Sequence, residues 1–167
     1  KMKSLLDGVD APMQIVMTIN AGSIPEGHWI HNPAIGGGRI IGEACHFIDL
    51  ARYLCGNPVT DVKSSFVDTP ARDTVSFSLD FSNGSSAAVH YLSNGHKGFP
   101  KERVEVFCAG RVLALDNFRR LKGYGWSGFK RMDLWKQDKG HASEIDQLLG
   151  AIREGRASPI PISELVE

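Results

Sequence analysis

Thr74-Val75-Ser76-Phe77-Ser78-Leu79-Asp80-Phe81-Ser82-Asn83-Gly84-Ser85-Ser86-Ala87-Ala88-Val89-His90-Tyr91-Leu92 reads as two strands folded back on each other. Over residues 74–81, Val75, Phe77, Leu79 and Phe81 alternate with Ser76, Ser78 and Asp80, the period of a strand with one face on a core and one toward water. Ser82-Asn83-Gly84 supplies turn chemistry and makes a hairpin with a second strand over 85–92.

The same pattern continues on both sides. Residues 62–66 form a strand upstream, while 103–109 and 112–116 form a second hairpin through Gly110-Arg111. Such tight links leave no room for crossover helices, which argues against a doubly wound parallel sheet. Met13-Gln14-Ile15-Val16-Met17-Thr18-Ile19-Asn20 is apolar and β-branched, and predicts a strand running into a loop at Asn20-Ala21-Gly22. The region 119–137 interleaves Gly123, Gly125 and Gly128 with Tyr124, Trp126, Phe129 and Trp135, and offers one late strand at 131–136.

Helical spacing appears at 40–54, through Ile41, Cys45, Ile48, Ala51, the Arg52 stem and Cys55, with Gly56-Asn57-Pro58 as the stop. It returns at 141–154 through Ile145, Leu148, Leu149 and Ile152, ending at Gly155. A last helix begins near Pro161 with Ser163 as its cap. These elements predict an α+β domain: an open, largely antiparallel (mixed) sheet with helices packed on one face.

At 167 residues and 42% hydrophobic content the chain suffices for one domain with a core, and a second full domain is not expected. Nineteen basic against nineteen acidic side chains give no field for nucleic acid or anionic lipid. No apolar run approaches the roughly 20 residues of a bilayer span, and Lys1-Met2-Lys3-Ser4 opens without a signal-peptide core. Cys45, Cys55 and Cys108 are odd in number, lack a Cys-x-x-Cys pair and read as buried thiols of a cytoplasmic protein. Both ends read as cut, so the chain is expected to be part of something longer.

The chemistry concentrates in Gly36-Gly37-Gly38-Arg39-Ile40-Ile41-Gly42-Glu43-Ala44-Cys45-His46-Phe47-Ile48-Asp49. Gly37 and Gly38 let the backbone approach a ligand, and the helix start after them offers unpaired amide donors. Glu43, His46 and Asp49 recur at three-residue steps, and read either as a proton relay centred on the imidazole or as the ordinary polar side of a capped helix. Gly36, Gly38 and Gly42 miss the G-x-G-x-x-G spacing by one residue, so no cofactor-binding fingerprint lies in this chain. His28-x-x-His31 near Cys45-His46 invites a metal reading, but neighbouring helix residues point about 100° apart, and structural use is preferred. Residues 23–38 are irregular because Pro25, Gly27, Pro33 and the glycines oppose regular structure; their His28, Trp29 and His31 are placed to close over a ligand. Trp29 and Tyr124-Gly125-Trp126 either stack on a ring or fill core edges.

Gly36-Gly37-Gly38 followed by Cys45-His46-x-Ile48-Asp49-Leu50-Ala51-Arg52-Tyr53-Leu54 resembles the C-terminal domain of the NAD(P)-dependent oxidoreductases named for glucose-fructose oxidoreductase and inositol dehydrogenase (Gfo/Idh/MocA). The Gly140-His141 helix and Pro159-Ile160-Pro161 are similar to that domain's end. The resemblance implies that a Rossmann domain carrying NAD or NADP belongs upstream, outside this chain. It implies a sugar-like substrate and an exposed sheet face that forms homo-oligomer contacts. It places His46 on the family's acid/base histidine, with Glu43 and Asp49 orienting it, and Gly37, Gly38, His28, Trp29 and Lys97 toward substrate. Alone, the chain would bind no NAD(H) and turn nothing over. One departure matters: the family's aspartate, four residues before the histidine, falls on Gly42. An association module without catalysis is therefore the rival expectation. Asn20-Ala21-Gly22 and His28-Trp29-Ile30 resemble a subgroup fused behind an alcohol-dehydrogenase-like segment.

Overall fold

The computed structural model describes residues 1–32, 34–69 and 71–166 and, of Leu165, the backbone. Pro33, expected to oppose regular structure, and Glu167, at the end of the expected last helix, lie outside the described residues.

The strands are β1 (Met13–Asn20), β2 (Val59–Phe66), β3 (Val75–Phe81), β4 (Ser86–Leu92), β5 (Glu102–Cys108), β6 (Arg111–Asp116), β7 (Arg120–Tyr124) and β8 (Arg131–Asp133). They form one open sheet in the order β2-β3-β4-β1-β5-β6-β7-β8. Every pairing is antiparallel except β1 with β4, where Gln14 lies opposite Ser86 and Asn20 opposite Leu92. The α+β class and mixed, mainly antiparallel sheet expected from the hairpins are thus observed. β1 has the expected bounds, and the other expected strands differ at their ends by one to three residues; β7 is an element that the glycine-rich region concealed, and β8 stops short of residue 136.

Period-2 alternation sends Ile15, Met17 and Ile19 of β1, Val75, Phe77, Leu79 and Phe81 of β3, Ala87, Val89 and Tyr91 of β4 and Val104 and Val106 of β5 into one core. Helices α1 (Met2–Leu6) and α2 (Cys45–Cys55) cover that face, with α2 lying against β1 and β4. α3 (His141–Arg153) buries only Ala151 among its described residues and turns Ile145, Leu148, Leu149 and Ile152 outward. α4 (Ile162–Leu165) starts from Pro161, so Ser163 lies inside the helix rather than capping it. Among the described residues no helix is long and apolar enough to cross a membrane.

The helix expected over 40–54 starts differently. Ile40–Ala44 form a π-helical turn before α2, and α2 ends on Gly56 at φ +74°, a left-handed position that suits glycine. The wider turn shifts the phase of the buried stripe to Ala44, Phe47, Ala51, Leu54 and Cys55. Ile41 and Cys45, expected inside, are exposed as a result, while Cys55 and Cys108 are buried thiols as expected.

Candidate functional site

The segment after β1 reaches α2 by a fold that needs its glycines. The 3-10 turn Trp29–His31 is capped by His28, whose Nδ1 accepts from the Ile30 amide at 3.3 Å. The chain then turns so tightly that a Cβ on Gly36 would stand 2.4 Å from Ile30 Cα. All three glycine amides are used within the turn: Gly36 and Gly37 donate to the Asn32 carbonyl and Gly38 to that of Ile30. The triplet is therefore not a cradle of free donors, in keeping with its missing the dinucleotide-binding spacing. Gly37 and Gly38, at φ +67° and +84°, have nothing within 4 Å of where a Cβ would stand. They face open space, and both line a cavity of about 650 Å³.

Arg39, 2% exposed, is the centre of the site, and it was not singled out from the sequence. Its NH1 donates to the Gly22 carbonyl at 2.7 Å and its NH2 to that of Ala21 at 3.3 Å, tying the start of the helical rod to the end of β1. The guanidinium lies 5.4 Å from the Tyr91 ring centre and meets two carboxylates, Glu43 at 3.3 Å and Asp73 at 3.6 Å. An arginine directly after the triplet and four residues before a glutamate was the available signal.

Glu43 accepts hydrogen bonds from Tyr91 Oη at 2.5 Å, Lys101 Nζ at 2.8 Å and Arg39 NH2 at 3.3 Å. Burial pushes its carboxyl up, but those three donors and the Lys101 charge outweigh burial and hold it below the ordinary value of 4.5. Burial and the adjacent Glu43 carboxylate push the Tyr91 hydroxyl far above its usual range. Glu43 is thus a fixed anion at pH 7. His46 and Asp49 are exposed further along the rod, and among the described residues no hydrogen bond or ion pair joins them to Glu43.

Of the residues expected near substrate, Trp29 and His28 lie together on the loop with ring centres 5.5 Å apart, both exposed. Lys97 packs over Gly22, its Cγ 3.3 Å from a Cβ there, on a loop held by the Asn20 amide, which donates to the carbonyls of His96 at 2.8 Å and Phe99 at 3.2 Å. Trp126 belongs to the core edge, its indole donating to the Val112 carbonyl at 3.0 Å. Among the described residues no three His, Cys, Asp or Glu side chains gather as metal ligands.

Residues 11–113 match the family model described as the GFO/IDH/MocA C-terminal domain. Over 91 residues the chain is 33% identical to the uncharacterized oxidoreductase YrbE of Bacillus subtilis, a match covering 50% of this chain and 26% of that protein. UDP-N-acetylglucosamine 3-dehydrogenase GnnA from Acidithiobacillus ferrooxidans superposes with a TM-score of 0.70 at 24% identity, over 90% of this chain and 48% of its own. An aldose-aldose oxidoreductase from Caulobacter crescentus, in complex with glycerol, gives 0.75 at 19% identity, over 98% and 52%. At those identities the likeness is one of fold, and the chain spans about half the length of these solved structures.

Proposed function

Because the chain belongs to the GFO/IDH/MocA C-terminal domain family, we propose that it is the substrate-binding and oligomerisation domain of an NAD(P)-dependent oxidoreductase acting on a hydroxyl or carbonyl of a sugar, sugar nucleotide or cyclitol. The names of the dehydrogenase and the aldose oxidoreductase that share the fold support a sugar-like substrate. NAD or NADP supplies the redox chemistry and is held by a Rossmann domain outside these residues. The glycine triplet here does not fit a pyrophosphate, since its amides are already bonded to Asn32 and Ile30. Cys45, Cys55 and Cys108 are free thiols, which suits a reducing cytoplasm.

The observation that carries the reading is the placement of His46: exposed, near the start of α2, on the rod that Arg39 ties to the substrate-facing loop. Its imidazole takes a proton from the substrate hydroxyl in oxidation and returns it in reduction. Asp49 lies one turn further on to orient the ring, and Glu43, gripped by Tyr91 and Lys101, anchors the turn that sets its direction. Gly37 and Gly38 let substrate close on the backbone, with His28, Trp29 and Lys97 around it. The open face of the sheet, where Val16, Ala88 and Ala114 lie in register across β1, β4 and β6 through Glu105 of β5, serves association of copies.

His46→Ala in the full-length protein tests the role: turnover of a sugar substrate is expected to fall by about 100-fold or more. Titration of the 167-residue chain with NADH is expected to show no tight binding. The rival reading, an association module without catalysis, is favoured by Gly42 itself, which stands where the family aspartate would. Unchanged turnover in His46→Ala supports that module.

A further inference from the structure

The cavity of about 650 Å³ lies between Gly37 and Gly38, Thr69, Ala71 and Asp73 from between β2 and β3, and Ser93 and Asn94 after β4. Its size falls within the range of roughly 300–1,000 Å³ usual for small-molecule sites. His46, Glu43 and Asp49 do not line it. Its wall is a chain of buried polar groups: Arg39 NH1 lies 3.6 Å from Asp73, Asp73 accepts from the Ser93 hydroxyl at 2.6 Å, and that hydroxyl lies 2.6 Å from Thr74 Oγ1. Arg39, Asp73, Ser93 and Thr74 are all buried. Two groups in the wall are left over, because Arg39 Nε and Thr69 Oγ1 are buried and have no hydrogen-bond partner among the described residues. Buried polar networks are costly to leave incomplete, so an unfinished one lining a cavity points to a ligand that completes it.

Charge selects the ligand. The Arg39 guanidinium is already balanced by Asp73 and Glu43, and Glu26 adds a further carboxylate to the lining. A phosphate or carboxylate would meet more negative charge than positive. Hydroxyl groups fit instead, since each can donate to Asp73 and accept from a side-chain donor, and the bare backbone at Gly37 and Gly38 lets a ring come close.

Arg39 precedes His46 by seven residues on one helical rod, and His46 lies outside the lining of the cavity that Arg39 walls. A single ring does not span both places. We infer that the cavity is a subsite for the non-reacting hydroxylated unit, a second glycosyl or polyol ring, of a substrate longer than one ring. The inference rests on the reading that His46 meets the reacting carbon.

The test is a titration of the ¹⁵N-labelled chain with cellobiose and, separately, with inorganic phosphate, following backbone amides. Cellobiose is expected to move Gly37, Gly38, Asp73 and Ser93 together in one saturable transition, and phosphate to leave them in place. Ser93→Ala and Thr69→Val are each expected to weaken cellobiose binding by about tenfold, the loss of one good hydrogen bond. Thr69 lies on a connecting loop, so Thr69→Val retains the fold if Ser93→Ala does not. Cellobiose leaving those amides unmoved, phosphate moving them, or a folded Thr69→Val binding unchanged overturns the subsite. The titration reads binding without turnover. Failure of the His46 proton role overturns the assignment of the cavity to a non-reacting unit but leaves the titration result standing, and failure of the titration leaves the His46 test intact.

Discussion

The Ile30 side chain occupies the space that any side chain at position 42 would need, with its Cδ1 2.9 Å from a Cβ built on Gly42. The same loop residue blocks position 36 in a different way, because there the contact is with its backbone: Cα at 2.4 Å and the carbonyl oxygen at 2.6 Å from a Cβ on Gly36. One residue of the 3-10 turn thus explains two glycines of the segment leading into α2.

The two glycines are expected to differ in tolerance. At Gly42 the obstacle is the far end of a flexible side chain, and alanine also favours the helix by about 0.5–1 kcal/mol, so Gly42→Ala should be near neutral. At Gly36 the obstacle is backbone, and Gly36→Ala should cost about 1–3 kcal/mol or more. Urea unfolding of the two variants makes the comparison; equal costs would mean that Ile30 is not the obstacle.

Tyr91→Phe removes a buried hydroxyl that donates to Glu43 at 2.5 Å. The expected loss is about 1–3 kcal/mol, the range for hydrogen bonds to charged groups, or roughly 2–10 °C in Tm. In a Glu43→Gln background the same substitution should cost less, since the charge has gone, and a double-mutant cycle by calorimetry reads the difference.

Glu43 also predicts an acid-side instability. Its folded-state pKa lies below the ordinary 4.5, so the folded state holds its proton less readily than the unfolded chain does. The stabilisation is therefore complete above the unfolded value, and is lost as the pH falls from about 4.5 through the lower folded value. Denaturant midpoints measured across that window should fall more steeply for the natural chain than for Glu43→Gln.

Burial separates the core from α3. Leu79, fully buried in β3, should cost about 2–5 kcal/mol on truncation to Ala. Ile152, 67% exposed on α3, should accept Glu within about 0.5 kcal/mol in this chain. A large loss at Ile152 would show that the α3 stripe is covered in solution.

The amino-acid pattern alone determined what depends on near neighbours. Alternation through Val75, Phe77, Leu79 and Phe81, with a turn at Ser82-Asn83-Gly84, is enough to require a hairpin, because side-chain period and turn chemistry are local properties. A glycine-led helix carrying His46 was legible for the same reason. Tertiary structure decided the rest. The insertion of β1 between β4 and β5, parallel to one and antiparallel to the other, depends on which strand edges meet, a pairing between residues far apart in the chain. The π-helical turn over Ile40–Ala44 leaves Ile41 and Cys45 exposed, a change of phase that a constant 3.6-residue period cannot express. The grip on Glu43 joins Arg39 four residues away, Tyr91 at 48 and Lys101 at 58. Hydrogen bonds at such separations leave no periodic mark on the chain, so only folding brings their donors to one carboxylate.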